Sequence, residues 1–131
     1  MLIAAVQMIS GPAVDANLRE AERLIDLAVA QGAQLVALPE YFPLIGASDA
    51  ERLAARETLA DAEDGGDNSG PIQAFLADTA RRHGIWLVGG SLPLVADDPA
   101  KLRNACLVYD NTGRRVAHYD KIHLFGFTHG T

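Results

Sequence analysis

Glu40 stands where a side chain could do chemistry. It follows an apolar run, Leu35-Val36-Ala37-Leu38, that stops at Pro39. A run without polar alternation reads as a strand covered on both faces, as in parallel sheets. Pro39 cannot donate to a ladder, so the strand ends there. Glu40 then sits just beyond the carboxyl end of a buried strand, where open α/β sheets place their ligands. Desolvation beside apolar surface would raise its pKa toward neutral pH and suit it to general-base work. The plainer alternative is a solvated loop glutamate.

Lys121 is the natural partner. It too follows a strand end, and parallel strands could bring the two ends together. A lysine beside a carboxylate can hold a developing oxyanion while the carboxylate handles protons. On spacing alone, pairing of Lys121 with Asp120 or another surface acid is the competing expectation. Cys106 is the only thiol, and it lies inside a strand-like stretch, Asn104-Ala105-Cys106-Leu107-Val108. Apolar burial makes a thiol inert, which weighs against a nucleophile. His118, His123 and His129 are spaced by five and six residues, which fits no standard metal-ligand pattern. Gly65-Gly66 lies in an acidic loop that no strand feeds, so it is not read as a phosphate cradle.

The elements that must position these residues follow from periodicity. Leu2 to Met8 reads as a strand and Ser10-Gly11-Pro12 as a turn. Leu18, Ala21, Ile25 and Ala28 recur at helical spacing, with Leu24 and Leu27 widening the stripe, over about 18–31. Asn17 is placed to cap that helix, with Glu20 completing a capping box, and Gly32 follows its end. Ser48 to about Ala60 reads as a second helix. Pro71 opens a third and Gly84 closes it, with Ile72, Phe75, Leu76 and Ala80 facing inward. Ile85-Trp86-Leu87-Val88 is another apolar strand, and Gly89-Gly90 after it permits close backbone approach. Pro93 to Ala100 reads as a loop. Asn104–Tyr109 and Arg114–Tyr119 form a hairpin about Asp110-Asn111-Thr112-Gly113.

This order is an α/β pattern. Three strands are apolar on both faces, yet three helices are too few to cover them. The domain is therefore expected to be incomplete or completed by a partner. At 131 residues and 49% hydrophobic, the chain is one domain or part of one. A net charge of −6, from 17 acidic and 11 basic residues, argues against a nucleic-acid partner. No apolar run approaches the ~20 residues that span a bilayer. Met1-Leu2-Ile3-Ala4-Ala5-Val6 has no basic flank and reads as a strand, not a signal peptide. A single cysteine suits a reducing compartment, and a cytoplasmic location is expected.

The same stretches, taken together, resemble the carbon–nitrogen hydrolase (nitrilase) superfamily. They are Ala4-Ala5-Val6-Gln7-Met8, Asn17-Leu18, Gly32-Ala33-Gln34-Leu35-Val36 leading to Leu38-Pro39-Glu40, Val88-Gly89-Gly90-Ser91, Asn104, and Tyr119-Asp120-Lys121-Ile122-His123-Leu124-Phe125. They keep the family's order and spacing over the whole chain. The closest likeness is to the amidase branch with ω-amidases and deaminated glutathione amidases. The resemblance implies an αββα sandwich, of which this chain would form the first half: a mixed sheet with helices on one face. The second sheet would cover the bare face.

It also implies a Glu-Lys-Cys triad, with Glu40 as general base and Lys121 stabilising the tetrahedral intermediate. The family's nucleophilic cysteine follows the lysine motif in a later strand–turn–helix elbow, and a second active-site glutamate often lies between them. Both would fall beyond Thr131. Cys106 precedes Lys121 and does not match the nucleophile. The implied substrate is a small-molecule amide, with no metal or organic cofactor, and the complete enzyme would be a homo-oligomer. The 131 residues alone are expected to be inactive. The rival expectation is a non-catalytic interaction module that docks a partner on the uncovered sheet face.

Overall fold

A computed structural model describes residues 1–61 and 70–124. Gly65-Gly66 and His129 lie outside the described residues. The elements run β1 (Ile3–Ala5), α1 (Val14–Ala30), β2 (Leu35–Ala37), α2 (Asp49–Ala54), α3 (Pro71–His83), β3 (Trp86–Val88), β4 (Leu92–Val95), β5 (Leu102–Tyr109) and β6 (Arg115–Asp120). They make one mixed sheet. β1 pairs parallel with β2, and β2 parallel with β3. β5 runs antiparallel to β3, β4 and β6. β4 and β6 both meet β5 at Ala105, and β3 and β6 both meet it at Val108, so β3 and β4 share one edge of β5 and β6 holds the other.

Register sorts the side chains into two faces. Ala4, Val36, Leu87 and Tyr109 align on one face, and Ala5, Ala37, Val88, Val108 and Ala117 on the other. The first face carries the core. Val36, Leu87, Leu107 and Ala105 pack there with Ala21, Ile25 and Ala28 of α1 and Ile72, Leu76, Ala77 and Ala80 of α3. The second face has no layer over it among the described residues. Ile3 is 62% exposed, Trp86 38% and Tyr119 60%, all on apolar strand positions. The expected shortage of cover is thus concentrated on one face, as two packed layers require.

Several local expectations need correction. Asn17 does not cap α1. Ala13 takes the N-cap position without a side-chain bond, and Asn17 lies buried inside the first turn. Its carboxamide instead donates to the carbonyls of Gly11 and Pro43, tying the β1–α1 loop to the segment after Glu40. Leu27, counted in the apolar stripe, is exposed. α2 ends at Ala54 rather than near Ala60, because Glu57 leaves the helical path and bridges to Leu94. Pro93 lies in a strand, not a loop. It pairs with Asn104, and its carbonyl accepts from Glu57 N at 3.1 Å. A proline is tolerated there because β4 lies at an edge and needs no ladder donor at that position. α3 matches its expected ends, with Pro71 in the first turn and Gly84 left-handed at the close.

Candidate active site

Glu40 leaves the sheet in a turn directly after β2, and the backbone around that turn is tightly held. Gly90, with φ of 55°, passes so close to the Pro39 carbonyl that a Cβ would lie 2.0 Å from the oxygen. Only glycine fits, so the paired glycines admit a neighbouring backbone. Ser91, buried beyond it, accepts a hydrogen bond from Tyr41 N at 2.9 Å. Tyr41 is the single non-glycine residue with positive φ, 53°, among the described residues. Such backbone is uncommon outside glycine and gathers at functional sites. The Phe42 carbonyl accepts from Ser10 Oγ at 2.7 Å.

Lys121 reaches the same place from the far side. β6 runs antiparallel to β5, which is antiparallel to β3, so β6 points the same way as β2 and ends at the same edge. Lys121 N donates to the Asn104 carbonyl at 2.9 Å, continuing the β5–β6 ladder. Lys121 Nζ then lies 2.8 Å from Glu40 Oε1. Asp120, the competing partner, is engaged by Arg103 at 3.2 Å and His118 at 2.7 Å.

The ion pair fixes the charge states. Its hydrogen bond to Lys121 holds the Glu40 carboxyl below its usual range, against a smaller opposing push from burial. The same bond raises Lys121. The expectation of a carboxyl raised by desolvation is therefore corrected. The Glu40 side chain is 54% exposed and has a cation on one oxygen, so the ionised form is favoured.

Glu40 and Lys121 border a cavity of about 370 Å³ together with Ser91, Asn104, Cys106 and Tyr119. Asn104, Cys106, Tyr119 and Lys121 share the uncovered face of the sheet. Cys106 is partly exposed there, and burial pushes its thiol up. Its place beside the Glu40–Lys121 pair was not foreseen, because the sequence does not show which face of β5 it takes. Asn104 contributes more than a family match implies. Its Nδ2 donates to Glu40 Oε1 at 3.0 Å. Glu57 is a second carboxylate the sequence reading passed over. It is 4% exposed and accepts from Ile72 N at 2.5 Å and Gln73 N at 3.0 Å, capping α3 from outside the helix. No cluster of three or more His, Cys, Asp or Glu side chains suited to a metal occurs among the described residues.

A carboxylate and a lysine that meet at the rim of one cavity can move a proton and hold a developing negative charge there. The carbon–nitrogen hydrolase family profile matches residues 2–130. This chain belongs to the carbon–nitrogen hydrolase family. A deaminated glutathione amidase from Synechocystis is 39% identical over 125 residues, covering 95% of this chain and 42% of that protein. An omega-amidase from Xenopus tropicalis is 33% identical over 132 residues, covering 94% of this chain and 40% of that protein. The chain thus spans less than half the length of these relatives. A crystal structure of a mutant amidase from Nesterenkonia sp. AN1 superimposes with a TM-score of 0.70 at 29% identity. It covers 95% of this chain and 45% of that one, and there acrylamide has added to the active-site cysteine. Another mutant of that amidase, from the nitrilase superfamily, superimposes with a TM-score of 0.70 at 30% identity, and the fold here is accordingly part of a nitrilase-superfamily fold, a mixed sheet with helices packed against it. No helix among the described residues is long and apolar enough to cross a membrane.

Proposed function

We propose that this chain carries the base and the oxyanion-binding lysine of an amidase acting on a small-molecule amide. The nucleophilic cysteine would come from sequence after Thr131. The observation that carries the reading is the 2.8 Å contact between Glu40 and Lys121 at the rim of a shared cavity. Relatives named as amidases support the reaction class, and the active-site cysteine of the Nesterenkonia enzyme supports a thiol mechanism.

In this scheme Glu40 takes the proton of the thiol, and the thiolate attacks the amide carbonyl. Lys121 and a backbone N–H hold the oxyanion of the tetrahedral intermediate. The C–N bond breaks, and ammonia leaves with the proton returned through Glu40. A water, deprotonated by Glu40, then opens the thioester and releases the acid. No metal or organic cofactor takes part. The complete enzyme acts as a homo-oligomer.

A second reading comes from the position of Cys106, which lines the same cavity. The raised thiol pKa counts against it as the attacking group, since the thiolate is the nucleophile. A third reading, an interaction module without catalysis, draws on the exposed apolar sheet face. Ammonia release from succinamate separates them. The protein translated with the sequence that follows Thr131 is expected to turn over and to tolerate Cys106→Ala. It is expected to lose turnover with Glu40→Gln. The 131 residues alone are expected to be silent. Turnover by those residues that Cys106→Ala abolishes would give the nucleophile to Cys106. Silence of both proteins would favour the module.

A further inference from the structure

The second donor to Glu40 is a buried side chain that leaves one of its own atoms unsatisfied. Asn104 is 2% exposed, and its Oδ1 has no hydrogen-bond partner among the described residues. Buried acceptors are rarely left so, and each exception calls for a reason. A leucine would fill similar space without that penalty, but it could not donate. The orientation of the carboxamide is fixed by its neighbour. Turned over, it would set a carbonyl oxygen about 3.0 Å from a carboxylate oxygen, acceptor against acceptor. Asn104 also holds the other member of the pair, because its main-chain carbonyl accepts from Lys121 N at 2.9 Å. Asn104, near the start of β5, therefore bonds both Glu40 and Lys121.

The two oxygens of Glu40 are consequently unequal. Oε1 takes Lys121 Nζ at 2.8 Å and Asn104 Nδ2 at 3.0 Å. Oε2 has no hydrogen-bond partner among the described residues and belongs to the side chain that rims the cavity. We propose that Asn104 is a positioning residue for Glu40, locking Oε1 jointly with Lys121 so that Oε2 is the atom that accepts and returns the proton. This rests on the reading of Glu40 as a general base. It assigns Asn104 a part in the reaction without contact to the substrate.

The test is an NMR titration of the Glu40 carboxyl carbon in the wild-type protein, Asn104→Ala and Asn104→Asp. Asp has nearly the same shape but cannot donate once ionised. The other titratable groups that face Glu40 are Lys121, Tyr41, Tyr119 and Cys106. His118 and Asp120 lie on the other face of β6. The wild-type midpoint is expected below that of an ordinary glutamate. It should move up in Asn104→Ala and further up in Asn104→Asp. The side-chain NH2 resonance of wild-type Asn104 is expected to titrate with the Glu40 midpoint, a readout that needs no variant to fold. A Glu40 midpoint unchanged in folded variants, or an Asn104 NH2 resonance blind to Glu40, would overturn the proposal. Silence on succinamate of a longer protein that carries both this chain and the proposed cysteine, with this coupling intact, would overturn the amidase reading and leave the positioning role standing.

Discussion

Glu40 Oε1 takes a lysine and a carboxamide at once, and both contacts favour the ionised carboxylate. Glu40→Gln keeps the shape and removes the proposed base, and in a longer protein that also carries the proposed cysteine, kcat for amide hydrolysis is expected to fall by about 10²–10⁴. Lys121→Met removes the proposed oxyanion donor, for an expected loss in kcat of that longer protein of about 10²–10³. The pair also has a pH signature. Glu40 is held below its ordinary value of 4.5 in the folded protein, so its contribution to stability is present above that pH. It is lost as pH falls through the lowered folded value. Urea midpoints of the wild type and Lys121→Met should therefore differ near neutrality and converge in acid. The difference is expected to be small, since both side chains are partly solvated. At this scale Glu40 and Lys121 were readable because each follows a strand end. Asn104 and Cys106 were not, because their shared face and their neighbours depend on the pairing of β5 with β4 and β6. The direction of the Glu40 shift was misread for the same reason: desolvation is inferable from apolar neighbours, but a cation 81 residues away is not.

The elements hold these side chains through a few contacts that tolerate little change. Gly90→Ala would add a Cβ against the Pro39 carbonyl at a left-handed φ. It is expected to destabilise the fold by more than about 2 kcal/mol by urea unfolding and to displace the Glu40 turn. Glu57→Ala would leave the Ile72 and Gln73 amides at the start of α3 without their acceptor. A loss of about 2–4 kcal/mol is expected, read as a lower urea midpoint. Helices and strands with strong local signals were readable, α3 best of all, where Pro71, Gly84 and the apolar stripe agree. β4 was missed because Leu92-Pro93-Leu94-Val95 carries a proline, and its edge position is a tertiary fact. The cap of α1 was misplaced because Asn17 bonds outside its helix, an option local sequence cannot reveal. The early end of α2 has the same kind of cause, as Val95 N donates to the Glu57 carbonyl at 3.0 Å.

For the whole molecule, the uncovered sheet face is the dominant feature. Apolar strand positions with no layer above them among the described residues mark a surface that associates. The 131-residue chain is expected to self-associate by analytical ultracentrifugation and to bind an apolar dye. Trp86→Lys should weaken both, and a dye-silent monomer would contradict the bare-face picture. The α/β class and a shortage of helical cover could be read from element order and a count of helices, whereas cover on one face only was implied by the family resemblance. The identity of what lies on the other face could not, since register alone decides which strand residues face it. That same face carries Asn104, Cys106, Tyr119 and Lys121, so covering it would also close the cavity beside Glu40. The most direct measurement of the central claim is mass-spectrometric mapping of the acyl-enzyme formed from succinamate, using a longer protein in which these residues are joined to the proposed cysteine-bearing sequence. The adduct is predicted on a cysteine after Lys121 and to vanish with Glu40→Gln. An adduct on Cys106, or one that forms equally well without the Glu40 carboxylate, would contradict the account.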